Sequence, residues 1–327
     1  MYIVTGAAGL IGSAVVWALN RRGVTNILAV DHLGLTEKWK NLRALKFADY
    51  MEKDDFRSKL AAGSFEPLNI EGIFHLGACS STVEKDATYL IHNNFEATKE
   101  LAEFAADWNI RMVYASSCAT YGDGAQGYLD DESRIERLRP LNMYGYSKQM
   151  FDLWAKRRGL FANNSIAGCK FSNVYGPNEL HKAEMRSVVL RAYEQISEGG
   201  KMGLFKSYRP EYADGEQQRD FLYVKDAVEM VLFLFDSGES GLFNIGSGRA
   251  ETWNSMVRAA FKALDKPECI EYIEMPESLR PKYQYYTCAE MSKLEKLGWK
   301  KQAASLEDAI RDYYTNYLIP GKYLGDE

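Results

Sequence analysis

The chain has 327 residues, of which 46% are hydrophobic and 26% charged, and its formal net charge is −5. This balance fits a globular protein with a large buried core and excludes a basic field that would draw nucleic acid or an anionic membrane. Five scattered cysteines (Cys79, Cys118, Cys169, Cys269, Cys288) form no C-x-x-C pair, and the four histidines have no ligand spacing, which argues against a disulfide framework or a zinc site and for a reducing compartment.

In chain order, residues 2–6, 26–31, 72–78, 111–117 and 165–171 read as buried strands, nearly continuous in apolar residues. Helical patterns lie between or after them at about 11–23, 53–62, 88–108 and 146–162. The alternation predicts an α/β fold, a doubly wound parallel sheet of Rossmann type. After residue 178 the chain becomes more charged, with a long polar loop at 208–220, a strand-like run at 241–248, a helix from about 252 and a closing helix near 305–317. We expect residues 1–172 to form a dinucleotide-binding domain, with parts of 220–250 returning to it, and 173–327 a smaller, discontinuous substrate-binding portion. No apolar run reaches a membrane span, and the opening residues enter a strand at once. The expectation is therefore no leader segment, no membrane partner and a cytoplasmic location.

The stretch "TGAAGLIGS" places Gly6, Gly9 and Gly12 directly after a strand and at the start of a helix. Glycines there let the backbone approach a pyrophosphate, whose charge the helix N-terminus favours, and a plain strand-to-helix turn is the competing reading. Asp31 ends the second strand, where an acidic group bonds an adenosine ribose and points to NAD. Lys38 in the following loop and Lys53 just past the third strand would instead neutralise a 2′-phosphate, pointing to NADP. Spacing leaves these two alternatives even.

Two further motifs follow. "YASSCATYG" puts Ser116 and Ser117 at the carboxyl end of a strand, where a hydroxyl either bonds a reacting oxygen or caps a turn. In "NMYGYSK", Tyr144 and Lys148 are four apart at a helix start and share one face. A nearby ammonium would lower the phenol's pKa toward neutrality and make it a usable base. Tyr146 points elsewhere, and packing is its expected role.

With these motifs, the chain resembles the extended short-chain dehydrogenase/reductases, the NAD-dependent epimerase/dehydratase family. The resemblance implies Ser117 as the catalytic hydroxyl, four residues ahead of Tyr121, with Tyr144 as acid/base and Lys148 holding the nicotinamide ribose. The segments "FHLGACSST", "NVYGPNELHK", "RDFLYV", "GLFNIGSGRAET" and "PKYQYYT" are similar to the branch that inverts C6 of an ADP-linked heptose for lipopolysaccharide core synthesis. That branch implies an isomerase with tightly bound NADP, a nucleotide-sugar substrate, a homo-oligomer (perhaps a pentamer) and Lys182 as a second catalytic group. It adds Leu10, Ile11, His32, Leu76, Gly77, Ala78, Cys79, Ser80, Asn93 and Val174 to the cofactor positions.

For the substrate the resemblance implies Ser117, Asn173, Phe205, Lys206, Ser207, Arg219 and Tyr283, and places Glu184 and Arg191 where Ser and His are expected. The loop at 208–218 reads as longer than usual for that branch. A 4-epimerase and a 4,6-dehydratase are the alternatives. The dehydratase is disfavoured because Cys118 and Ala119 follow Ser117, where that activity needs Asp-Glu.

Overall fold

The computed structural model describes residues 1–162, 165–277, 279–280 and 283–326. Pro281 and Lys282 of the "PKYQYYT" segment therefore lie outside the described residues.

The strands in chain order are β1 (Tyr2–Thr5), β2 (Ile27–Asp31), β3 (Asp49–Glu52), β4 (Gly72–His75), β5 (Met112–Ser117), β6 (Ile166–Phe171) and β7 (Asn173–Tyr175). After them come β8 (Met202–Phe205), β9 (Gln218–Arg219), β10 (Phe221–Tyr223), β11 (Gly241–Ile245), β12 (Glu251–Thr252) and β13 (Ile270–Ile273). The helices are α1 (Leu10–Arg21), α2 (Lys53–Ala61), α3 (Ala87–Leu90), α4 (Ala97–Asp107) and α5 (Met143–Arg157), then α6 (Val188–Gly199), α7 (Val224–Ser237), α8 (Trp253–Ala263), α9 (Ser292–Lys296) and α10 (Leu306–Tyr313).

Seven strands form one parallel sheet in the order β11-β6-β5-β4-β1-β2-β3. Alternate residues of each strand serve opposite faces. Val4, Ala29, Phe74, Val113 and Ala167 enter one buried layer with α1 and α7. Ile3, Leu28, Ile73, Met112 and Ile166 enter the other, with Leu101 of α4 and Phe151 of α5. Covering both faces is what the continuous apolar runs required. Strand order reverses between β1 and β4, so their carboxyl ends open a crevice at the switch point. Three two-stranded pairs, β7 with β10, β8 with β13 and β9 with β12, build the second half beyond that edge.

Two local differences from the sequence reading have physical causes. The helix expected over 88–108 is interrupted by a π-turn at Ile91–Glu96. Asn94, within that turn, is buried and brackets Cys79 with both polar ends, accepting from its N–H at 2.8 Å and donating to its carbonyl at 3.0 Å. The helix expected from 146 begins at Met143, because Asn142 caps it by accepting from the Gly145 N–H at 2.8 Å.

Candidate active site

The crevice begins with the glycine turn. Gly6 has φ +68°, and a Cβ there would sit 2.6 Å from the Gly77 nitrogen. A Cβ on Gly12 would sit 2.0 Å from the Gly6 carbonyl oxygen. The turn is therefore closed against its own helix and against the β4 end, which leaves α1's first N–H groups facing the crevice. A relay holds the two walls together. The Gly77 N–H donates to Thr5 Oγ1 (3.1 Å), and Thr5 Oγ1 lies 2.7 Å from His75 Nδ1. His75 Nε2 lies 2.9 Å from Thr98 Oγ1, whose own proton goes to the Asn94 carbonyl. That order leaves His75 neutral with its proton on Nε2, and burial agrees, holding its pKa down at about 3.

At the end of β2, Asp31 has both carboxylate oxygens occupied. One accepts from the Ala8 N–H at 2.7 Å, the other from the His32 N–H at 2.6 Å and from Lys38 Nζ at 2.5 Å. Lys53 donates to Asn93 Oδ1 at 2.8 Å. All the cofactor positions inferred from sequence border this one cavity: Gly6, Gly9, Leu10, Ile11, Gly12, Asp31, His32, Lys38, Lys53, Leu76 to Ser80, Asn93, Tyr144, Lys148, Val174 and Lys182. The residues fit a dinucleotide, since the glycine turn supplies close backbone approach and Lys53, at the start of α2, supplies a cation to the same rim.

Ser117, Tyr144 and Lys148 meet on the opposite wall. Lys148 is buried and donates to the Ala115 carbonyl at 2.8 Å, fastening α5 to β5. Burial lowers its pKa to about 8, with Asp152 and Cys79 opposing the fall. Tyr144 departs from the sequence expectation. Burial pushes its phenol above the ordinary value rather than below it, with only the Ser117 hydroxyl drawing it down among the larger influences. The phenol is therefore an acid in the free chain. Tyr146 also departs: it is 47% exposed, so it is not a packing residue.

Lys182 sits on a short 3-10 turn, Leu180–Met185, and burial lowers its pKa against the pull of Glu179. Ala183 next to it has φ +44°, a strained conformation for a residue with a Cβ. The cavity beyond Tyr144 is lined by Asn173, Arg219, Trp253, Tyr283 and Gln284. Seven residues border both cavities, among them Ser117, Tyr144 and Lys182. Arg219, 7% exposed, stacks over Trp253 (5.4 Å) and Tyr283 (5.2 Å) and has no carboxylate partner among the described residues. Burial lowers its guanidinium's pKa.

Five expected substrate residues fall outside both cavity linings. Lys206 pairs with Glu274 at 2.7 Å, and the Ser207 N–H is spent on Asp214. Phe205 stands edge-on behind Tyr283, with centroids 6.4 Å apart. Glu184 and Arg191 face each other at 3.6 Å, the Glu184 side chain being 93% exposed. The sequence reading gave no role to His181, which borders the first cavity and has its pKa lowered to about 4 by burial. Its ring contacts Asn41, whose amide donates to the Ala8 and Asn178 carbonyls. The adjacency of His181 to Lys182 was the only available signal.

With this geometry in hand, the comparisons are decisive for family. Residues 2–246 match the NAD dependent epimerase/dehydratase family. The chain belongs to that family. It is 50% identical over 97% of its length to an ADP-L-glycero-D-manno-heptose-6-epimerase of Nitratidesulfovibrio vulgaris, covering 98% of that protein. A protein of the same description from Fusobacterium nucleatum is 46% identical, covering 97% of this chain and 98% of the relative. Among solved structures, the Helicobacter pylori ADP-L-glycero-D-manno-heptose-6-epimerase superposes with a TM-score of 0.80 at 24% identity, covering 96% and 95% of the two chains. A UDP-N-acetylglucosamine 4-epimerase of Methanobrevibacter ruminantium gives 0.82 at 23%, covering 98% of each. At such identities these two likenesses concern the fold alone.

Two outcomes follow from the site. Gly12→Ala forces its new methyl into the Gly6 carbonyl, so dinucleotide bound by the purified protein should be lost and the melting temperature lowered, read from the absorbance of released cofactor and a thermal melt. Lys148 is protonated less readily in the folded chain (about 8) than unfolded (10.5). That costs stability on the order of 3 kcal/mol below about pH 8, a cost that fades as pH rises toward the unfolded value. Lys148→Met should therefore make the cofactor-free protein more stable to urea at pH 7, with a smaller gain at pH 10.

Proposed function

We propose that this protein is an isomerase that inverts C6 of the heptose in ADP-D-glycero-β-D-manno-heptose, through a transient 6-ketone and with NADP held in the crevice. The observation that carries the reading is that Tyr144 and Lys182 both stand where the dinucleotide cavity meets the sugar cavity. The 50% identity over 97% of the chain supports the sugar. For the cofactor, Asp31 has its charge spent on Ala8, His32 and Lys38, which removes the repulsion a carboxylate would exert on a 2′-phosphate. Lys53, bonded to the neutral Asn93 amide oxygen, supplies positive charge on the same rim.

The nicotinamide supplies an acceptor for the C6 hydride and returns it. The chain's own residues handle the proton and the sugar's position. With a cationic nicotinamide in the crevice and Lys148 beside it to offset the desolvation, Tyr144 would first give up its own proton; as phenolate it then takes the proton of the C6 hydroxyl as the C6–H bond breaks, and Ser117 donates to the oxygen as it becomes a carbonyl. The ketone then turns over, so that hydride returns to the opposite face and the oxygen recovers its proton from the other side, where Lys182 stands. An acid/base group on each side is what inversion requires. Arg219, buried without a carboxylate, holds the diphosphate, since its fork matches oxyanions and the anion compensates a charge otherwise desolvated at a cost.

A dehydration is disfavoured at the same place. Cys118 donates its thiol to the Lys170 carbonyl, and burial pushes its pKa well up, so it offers no acid to a leaving hydroxyl.

Incubation with ADP-D-glycero-β-D-manno-heptose and no added cofactor should give the L-glycero product by NMR, without net dinucleotide reduction. Inertness toward that sugar with turnover of a UDP- or GDP-hexose would contradict the substrate. Tyr144→Phe should lower kcat at least about a hundredfold, the usual worth of a positioned acid/base group. Lys182→Met should slow inversion by a similar factor while leaving Tyr144-dependent oxidation measurable as transient cofactor reduction in single-turnover absorbance. Unchanged kcat in either variant would remove that residue from the mechanism.

A further inference from the structure

Behind the reactive wall lies an ion pair that the chemistry above does not use. Asp152 is 0% and Lys170 1% exposed, and their charged atoms are 2.9 Å apart. Asp152 also accepts from Tyr114 OH (2.8 Å) and from Ser116 Oγ (2.7 Å). Lys170 donates to Thr120 Oγ1 (2.8 Å) and lies over the Tyr121 ring at 5.1 Å. The pair thus joins α5, β5, the turn after β5 and β6 at one point. Asp152 follows Lys148 by four residues and Tyr144 by eight, so all three share one face of α5. Ser116 turns down to Asp152, and its neighbour Ser117 turns up to the cavity.

A buried pair of this kind is seldom a net source of stability. Replacing both partners by neutral residues of similar size is often neutral or stabilising, whereas removing one leaves an uncompensated charge. Its acid lies one helical turn from a desolvated lysine, which points to a use.

We propose that Asp152, clamped by Lys170, is a positioning residue that supplies the counter-charge for the Lys148 ammonium and fixes it against the β5 end. The titratable groups facing Lys148 are few. Tyr144 and Asp152 come from its own helix, and His75 and Cys79 from β4 and the turn after it. His75 is neutral in its relay, and among the described residues Asp152, one helical turn on from Lys148, is the carboxylate that acts on its ammonium. Lys170 pairs with that carboxylate at 2.9 Å and holds it in place. The inference rests on Lys148 belonging to the acid/base set, but its test needs no substrate.

The test follows the Lys148 side chain by NMR in the full-length protein carrying 13Cε-lysine, with its signal assigned by loss in Lys148→Arg. In the unsubstituted protein the midpoint should fall near about 8. In Asp152→Asn, and in the doubly neutral Asp152→Asn/Lys170→Met, it should fall by about one pH unit or more, a tenfold loss of ammonium at a given pH. The double variant guards against misfolding, because it leaves no charge unpaired. If both variants titrate as the parent does, or if the well-folded double variant alone recovers the parental midpoint, Asp152 is structural only and the proposal is overturned. A protein inert toward the heptose nucleotide would leave this outcome readable.

Discussion

The bond from the Lys148 ammonium to the Ala115 carbonyl is the tie on which the site depends. It fastens the helix that carries Tyr144 to the strand that ends in Ser117. One turn further along α5, the bonds of Asp152 to Tyr114, Ser116 and Lys170 give a second polar tie to the sheet, and the two together fix the helix's rotation as well as its distance. The parallel register then does the rest: β1, β4 and β5 all end at one edge, so the glycine turn, the Gly77 turn and Ser117 arrive together.

The wall is built by burying charge and compensating each group locally. Asp31 is satisfied by two backbone N–H groups and Lys38, Asp152 by Lys170 and two hydroxyls, and His75 is kept neutral by a directed relay. Arg219 and Lys182 are the exceptions. Arg219 has no carboxylate partner among the described residues, and Lys182 is desolvated with only Glu179 opposing the effect. Both border the cavity proposed for the sugar nucleotide, whereas Arg186 on the same lining is paired with Glu194. Compensation is complete where the scaffold must be rigid and incomplete where a ligand would finish it.

The sequence was most legible where one physical signal dominates. Continuous apolar runs gave the strands, and glycines at steric pinch points gave the turn. The four-residue spacing of Tyr144 and Lys148 put both on one face. What escaped depended on partners distant in the chain. Lys206 reads as a substrate lysine until Glu274, 68 residues on, takes it. Asn41 links the glycine turn to the Asn178–His181 segment across 137 residues, and no local pattern announces that. The rise in the Tyr144 pKa was hidden because its main cause, desolvation, is set by tertiary packing. Lys170 did leave a trace, as a lone charge inside the apolar strand "SIAGCKF", and Asp152 lay one turn past Lys148. Taken together, those two features would have pointed to the buried pair.

The central claim is that one hydrogen leaves C6 and the same hydrogen returns to its other face inside a closed site. Epimerisation of heptose nucleotide carrying deuterium at C6, followed by NMR and mass spectrometry of the product, measures this directly. The account predicts an inverted C6 that keeps its deuterium in ordinary water. Inversion with the deuterium replaced by a solvent proton would mean a deprotonation at carbon, and would contradict the hydride route and the roles given to Tyr144 and Lys182.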